Sequence, residues 1–152
     1  LFLFVGLWRA SHAVTEAEWI FACGVILTAF GSAYYHLLPT TERLVWDRLP
    51  MTLAFGSAFH EALGTSPVLA SLTGAMTVLW WKRTLDLRAY AVFQYGGLVC
   101  VMWSGTHNTA LAMYVAAKVC ELLDRRIFKW TNYRVSGHTL KHALAAAACA
   151  VE

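Results

Sequence analysis

Five polar side chains in an otherwise apolar chain are of types that could carry chemistry. They are Ser32, His36, Asp47, His138 and His142. Ser32 and His36 are four residues apart, as are His138 and His142, and a helix places such pairs on one face. Three imidazoles and a water molecule make an open tetrahedral zinc site. The pattern therefore predicts a Zn²⁺ ion held by His36, His138 and His142.

The two remaining side chains suit a hydrolytic reaction at such a metal. Zinc lowers the pKa of a bound water molecule towards about 7, which makes hydroxide available at neutral pH. The carboxylate of Asp47 could accept the proton and pass it to a leaving amine. The hydroxyl of Ser32 could donate to the oxyanion that forms when a carbonyl is attacked. Ser32 and Asp47 are accordingly the candidate catalytic residues.

Each of these residues also has an ordinary structural interpretation. A histidine near a helix end is often an interfacial or capping side chain. Asp47 could be the N-cap of the helix that follows it. Ser32 could be a packing residue or could bond back to its own helix. The metal interpretation is favoured because the three separate motifs are expected to lie at the same end of the predicted helix bundle.

The composition indicates that a lipid bilayer surrounds the chain. Of its 152 residues, 59% are hydrophobic and 14% are charged, whereas soluble domains average roughly 45–50% and about 25%. We therefore predict an all-α, polytopic transmembrane bundle that forms a single domain over residues 1–152. The expected helices are Leu1–Trp8, Trp19–Leu38, Leu49–Leu63, Pro67–Trp81, Ala89–Trp103, Thr109–Leu123 and Gly137–Val151. The first and last of these are expected to be incomplete, as if the chain were truncated at both ends.

The basic residues fall mainly on one side of this predicted topology. Nine Lys or Arg residues follow or precede helices on that side, and one, Arg9, lies on the other. The positive-inside rule assigns the basic side to the cytoplasm. The second predicted helix ends there, and the third and last begin there, so the three motifs should share that level. His12, His60 and His107 are expected in loops on the opposite side, away from the site.

Other charged residues are expected to play no part in the chemistry. Lys141 lies between the two histidines of the last helix but faces away from them. Lys118, Glu121 and Asp124 are interpreted as snorkelling or paired groups near the basic side, with a structural tie to the site left open. The net charge of +3 is too small to indicate nucleic-acid binding.

These motifs resemble those of the alkaline ceramidase family, within the superfamily of seven-helix membrane hydrolases that also includes the adiponectin and progestin receptors. The resemblance rests on GSAYYH at 31–36, WDRLPMT at 46–52 and SGHTLKH at 136–142. The last two motifs look most like those of bacterial members. The similarity extends through nearly the whole chain.

The resemblance implies a seven-helix bundle with zinc on the three histidines and with Ser32 and Asp47 beside it. It also implies hydrolysis of the amide of ceramide, or of a ceramide-like lipid drawn from the bilayer, to a fatty acid and a sphingoid base. The alternative is a receptor-like membrane sensor in which zinc is structural. The resemblance implies that animal members are regulated by Ca²⁺ through an acidic segment before the first helix; residues 1–152 do not include such a segment, so Ca²⁺ is expected at most in a full-length protein and no residue is assigned to it. No protein partner is implied.

Overall fold

The computed structural model describes residues 1–151 and is all-α, as the sequence predicts. Its elements are α1 (Phe2–His12), α2 (Glu16–Leu37), α3 (Thr41–Leu63), α4 (Pro67–Thr84), α5 (Arg88–Ala91), a π-helical segment (Val92–Gly96), α6 (Gly97–Ser104), α7 (Asn108–Leu122), α8 (Asp124–Trp130) and α9 (Gly137–Ala150). The chain divides into two compact units. We call Phe2–Thr106 the N-terminal unit and the chain from His107 onward the C-terminal unit.

In the N-terminal unit, consecutive helices pack against one another through short connections. α2 packs between α1 and α3, and α3 also packs against α4 and α6. Polar caps fix where the helices begin. Thr15 and Glu18 form a capping box at α2, and the hydroxyls of Thr40 and Ser66 cap α3 and α4. Gly64 ends α3 in the left-handed conformation that glycine adopts without strain.

In the C-terminal unit, α9 packs mainly against α7 and also contacts α8. The hydroxyl of Ser136 caps α9 by accepting a hydrogen bond from the Thr139 amide at 3.0 Å. Helix α8 was not expected, because its short and strongly charged sequence DRRIFKW is typical of a membrane-surface loop. It follows α7 after one intervening residue, Leu123.

The third helix begins eight residues earlier than predicted. α3 starts at Thr41 instead of Leu49 and contains Pro50 in its interior. Because proline is well tolerated in a first turn and disfavoured in a helix interior, the sequence WDRLP suggested a helix start. The interpretation of Asp47 as an N-cap is therefore wrong, since Thr40 is the N-cap and Asp47 lies within the helix.

Among residues 1–151, α2 is the one helix long and apolar enough to cross a membrane. α3 is similar in length but carries more charged residues, α4 is shorter and less apolar than α2, and the remaining helices are shorter still. The arrangement of seven spans, the sidedness and the single domain over 1–152 stay predictions. Glu152 lies outside the described residues.

Candidate metal centre

His138 and His142 occupy the first two turns of α9 with their rings turned towards each other. The two Nε2 atoms are 3.0 Å apart, the ring centroids are 4.6 Å apart, and the ring planes are inclined by 81°. Both side chains are half-buried. Because Ser136 fixes the start of the helix, the spacing of four residues places the second imidazole directly above the first.

This geometry suits two ligands of one zinc ion. Two Zn–N bonds of about 2.0–2.1 Å at a tetrahedral angle bring the two nitrogens to about 3.3 Å from each other. The observed separation of 3.0 Å is close to that value. A direct hydrogen bond would also fit, with one neutral ring donating its Nε2–H to the other, and the choice depends on the tautomers. The pair thus has the geometry that the prediction requires of two of its three ligands.

His36 lies in the last turn of α2, in the N-terminal unit. Its side chain is exposed, and its ring lies 5.3 Å from the ring of Tyr35 with the planes inclined by 56°. α2 ends immediately after it at Leu37. An exposed imidazole at a helix end is accessible to a metal ion, and its role as the third ligand stays a prediction.

Ser32 and Asp47 belong to two helices that touch at their level. α2 has Gly31 where a Cβ would overlap the carbonyl oxygen of Trp46 and come within 3.2 Å of the Asp47 Cα. Ser32, the next residue, is 7% exposed, and Asp47 is half-buried. The missing side chain at position 31 allows the two backbones to meet. The candidate hydroxyl and the candidate carboxylate therefore come from one helix crossing.

Arg48 follows Asp47 and was expected on the basic surface. Instead, it lies inside α3 with its guanidinium 4.2 Å from the Trp81 ring centroid and 5.3 Å from that of Tyr90. Both aromatic residues belong to the buried cluster of this unit. Cation–π stacking compensates part of the cost of withdrawing the charge from water. Trp81 is 7% exposed and packs in the core.

The three remaining histidines lie at helix ends, whereas loops were expected. His12 is the last residue of α1, and its Nδ1 is 2.9 Å from the carbonyl oxygen of Trp8. His60 lies in the last turn of α3 and bonds to the Thr65 carbonyl. His107 precedes α7 in a left-handed conformation, with φ of 56°.

Two carboxylates to which the sequence assigns no definite role contact α9. Asp124 and Glu121 both bond to α9, one to its backbone and one to a side chain. No local pattern marks them, because they precede His138 by 14 and 17 residues. Comparison with protein-family models, curated proteins and solved structures finds no match for this chain.

Proposed function

We propose that this protein is a zinc-dependent membrane lipid amidohydrolase of the alkaline ceramidase type. It would hydrolyse the amide of ceramide, or of a ceramide-like lipid, to a fatty acid and a sphingoid base. The observation that carries the proposal is the approach of the His138 and His142 ring nitrogens to 3.0 Å. Two nitrogens held this close on one helix suit joint metal coordination.

His36 completes the proposed ligand set. Three imidazoles are the protein ligands of a hydrolytic zinc centre that keeps one position open. A zinc ion held there would lower the pKa of a water molecule towards about 7 and would polarise the amide carbonyl. We therefore assign the role of third zinc ligand to His36 and not to His12, the other exposed histidine of the N-terminal unit.

Asp47 and Ser32 have complementary proton roles in the proposed reaction. The Asp47 carboxylate accepts the proton of the attacking water and delivers it to the amide nitrogen as the C–N bond breaks. The Ser32 hydroxyl donates a hydrogen bond to the carbonyl oxygen as negative charge develops on it. Their positions at one helix crossing support a joint role, because the crossing at Gly31 fixes one relative to the other.

A lipid substrate and a membrane location are supported by the apolar side chains that the helices leave exposed. On α4 these follow a helical spacing along one face, at Val68, Leu69, Leu72, Met76, Leu79 and Trp80. Exposed apolar surface of this extent is typical of contact with lipid or with another apolar partner. We propose that the bilayer covers this face, that the chain is multi-pass, and that the substrate enters laterally from the lipid. The basic side, where the zinc site is proposed, would face the cytoplasm.

Zinc content tests the first part of the proposal. The protein purified in detergent micelles should retain about one zinc ion per chain, measured by mass spectrometry of the metal. His36→Ala, His138→Ala and His142→Ala should each lose it while the protein stays folded. His12→Ala is the matched control and should keep wild-type zinc. If His36→Ala keeps it too, the third ligand has been assigned wrongly.

Turnover tests the second part. Ceramide in mixed micelles should release free fatty acid, detected by mass spectrometry, and Asp47→Asn should abolish the release without loss of zinc. Ser32→Ala should lower kcat by roughly 100-fold, the usual cost of losing one oxyanion donor. A wild-type protein that binds zinc but releases no fatty acid from any amide lipid would favour the receptor-like sensor instead.

A further inference from the structure

The first turn of α9 receives a carboxylate from another part of the chain. The Asp124 Oδ1 atom accepts a hydrogen bond from the backbone amide of His138 at 2.7 Å. The Ser136 hydroxyl accepts from the amide of Thr139 at 3.0 Å. The first amides of a helix have no carbonyl partners within the helix. Two consecutive amides, one of them belonging to a proposed metal ligand, therefore have acceptors with fixed positions.

A second carboxylate contacts the same helix one turn further along. The Glu121 Oε1 atom accepts from the Lys141 ammonium at 2.8 Å, and its Oε2 atom accepts from Lys118 at 3.1 Å. The Lys141 and Glu121 side chains are 24% and 39% exposed, so solvent weakens this pair. Lys141 lies between the two histidines in sequence. Glu121 thus holds the turn of α9 from which His142 projects.

Close backbone packing brings these groups together. At Gly137, between Ser136 and His138, a Cβ would overlap the Cys120 carbonyl oxygen and would lie 2.6 Å from the Asp124 Cα. The start of α9 therefore lies directly against the junction of α7 and α8. At this distance the Asp124 carboxylate reaches the backbone of α9 without an intervening water molecule.

These contacts fix the rotation of α9 about its axis. Successive residues in a helix are about 100° apart, so a small rotation turns both imidazoles away from a metal ion placed between them. The hydrogen bond from the His138 amide to Asp124 fixes the position of the first turn of α9. The contact of Lys141 with Glu121 fixes the rotation of the second turn. Without these contacts, the rotation of α9 about its axis would be fixed only when the metal binds, and the entropy lost in that step would weaken metal binding.

We propose that Asp124 is a positioning residue for the metal centre and that Glu121 assists it. By anchoring the first turn of α9, Asp124 holds the imidazoles of His138 and His142 in their metal-binding orientation before the ion arrives. This inference rests on the proposed function, because it assigns a metal ion to the histidine pair. It adds two residues that coordinate nothing and that govern metal affinity through α9.

Zinc affinity, measured by competition with a chromophoric chelator, separates positioning from ordinary helix capping. Loss of groups that orient metal ligands typically costs 10- to 100-fold in affinity. Asp124→Ala should therefore raise the Kd for zinc by about 10- to 100-fold. Asp124→Asn keeps an oxygen acceptor and should raise it by less than about 10-fold, since a neutral acceptor is the weaker one. Glu121→Gln should have an effect similar to that of Asp124→Asn.

Asp86→Ala is the matched control. Asp86 also accepts from a backbone amide at a helix start, that of Arg88 at 3.0 Å, but it lies in the N-terminal unit. Its loss should leave the zinc Kd unchanged. A mere cap at Asp124 would lower the melting temperature of the metal-free protein and leave the Kd at the wild-type value, which would overturn the inference.

Two further measurements distinguish failure of this inference from failure of the proposed function. The absorption spectrum of the Co²⁺-substituted protein reports coordination geometry, and Asp124→Ala should alter it at metal saturation. In a His36→Ala background, Cu²⁺ titration measures the affinity of the His138–His142 pair alone, since imidazole suits copper. A loss of Cu²⁺ affinity in the added Asp124→Ala variant would support positioning even if His36 is not a zinc ligand. An unchanged Cu²⁺ affinity would overturn it, even if the protein hydrolyses lipid amides.

Discussion

The two units of this protein hold their candidate functional residues by different physical means. In the N-terminal unit, α2 and α3 meet at Gly31, and Ser32 and Asp47 take their positions from that backbone contact. In the C-terminal unit, α9 has a similar close approach at Gly137 and is also anchored by Asp124 and Glu121. Excluded volume at Gly31 contributes to the first arrangement, and in the second the charged hydrogen bonds of Asp124 and Glu121 add to the close approach at Gly137.

The position of the residues along their helices explains this difference. Ser32 and Asp47 lie inside helices, where their own amides have carbonyl partners one turn earlier, although Pro50 leaves the Trp46 carbonyl without its helical donor. His138 lies in a first turn, where the amides need acceptors from outside the helix. Charged anchors are therefore found where the candidate ligands occupy a helix start.

Removing zinc should lower the stability of the protein most. It should affect the helices that carry the proposed ligands, α2 and α9, more than α4. At a free zinc concentration of about 100 times Kd, binding stabilises the folded state by about 2.7 kcal/mol. Chelation should therefore lower the melting temperature and accelerate hydrogen exchange in the first two turns of α9 and the last turn of α2. Amides in α4, whose residues carry none of the proposed ligands, are the internal control. Equal acceleration in α4 would contradict a metal centre on these helices.

Adding one methyl group to Gly31 should lower the stability of the protein and displace Ser32 relative to Asp47 where α2 and α3 cross. In Gly31→Ala, the new Cβ meets the Trp46 carbonyl oxygen, and overpacking of this kind costs about 1–3 kcal/mol. The Ser32–Asp47 geometry should shift with it, so turnover should fall while zinc stays bound. Gly96→Ala is the matched control, because a Cβ there has nothing within 4 Å. We expect it to be neutral or slightly stabilising, and a loss of stability equal to that of Gly31→Ala would contradict the excluded-volume explanation.

Much of the helical framework could be predicted from the sequence, because apolar runs between polar punctuation identify helices. Six of the seven predicted helices recur with ends that shift by at most four residues, although a π-helical segment interrupts one of them. The start of α3 was not predicted, since its first two turns contain the charged sequence TERLVWDR, although Thr40 is a typical N-cap residue. These turns are helical partly because Arg48 stacks on Trp81 and Tyr90, residues that are far away in sequence.

The candidate site was predictable to a different extent in each unit. The spacing of His138 and His142 correctly indicated two imidazoles on one helix face, because four residues correspond to about one turn. The contribution of Asp124 could not be predicted, since it depends on how α7 and α8 pass the start of α9. Spacing within one helix can be read from sequence, and contacts between helices that pack without a shared motif cannot.

Neutralising Lys141 should lower the stability by a smaller amount, and the change should be confined to the C-terminal unit. Lys141→Met removes the contact with Glu121 and should cost about 0.2–1 kcal/mol, as partly exposed ion pairs do. The loss should shrink as salt is raised, because screening weakens the wild-type pair as well. Lys129→Met, at an exposed position on α8, is the control and should change the melting temperature by less. A Lys141→Met effect that is independent of salt would contradict a stabilising role for the ion pair with Glu121.

The smallest effect on stability is expected from Asp86, a carboxylate that accepts from a helix-start amide as Asp124 does but whose ion-pair partner, Arg88, is exposed. The side-chain hydrogen bond from Arg88 lowers the pKa of Asp86 to about 2 from its ordinary value of 3.8. Because the folded pKa is the lower one, any stability that this contact adds is present above about pH 4 and is lost as the pH falls through about 2. Its partner Arg88 is exposed and solvent weakens the pair, so the change in melting temperature over that range should be slight. Carboxyl NMR titration of wild-type protein and Arg88→Ala checks the cause, because the variant's pKa should return towards 3.8. An unchanged pKa would show that Arg88 does not hold this carboxylate, and Asp86→Ala would then be a poorer match for Asp124→Ala.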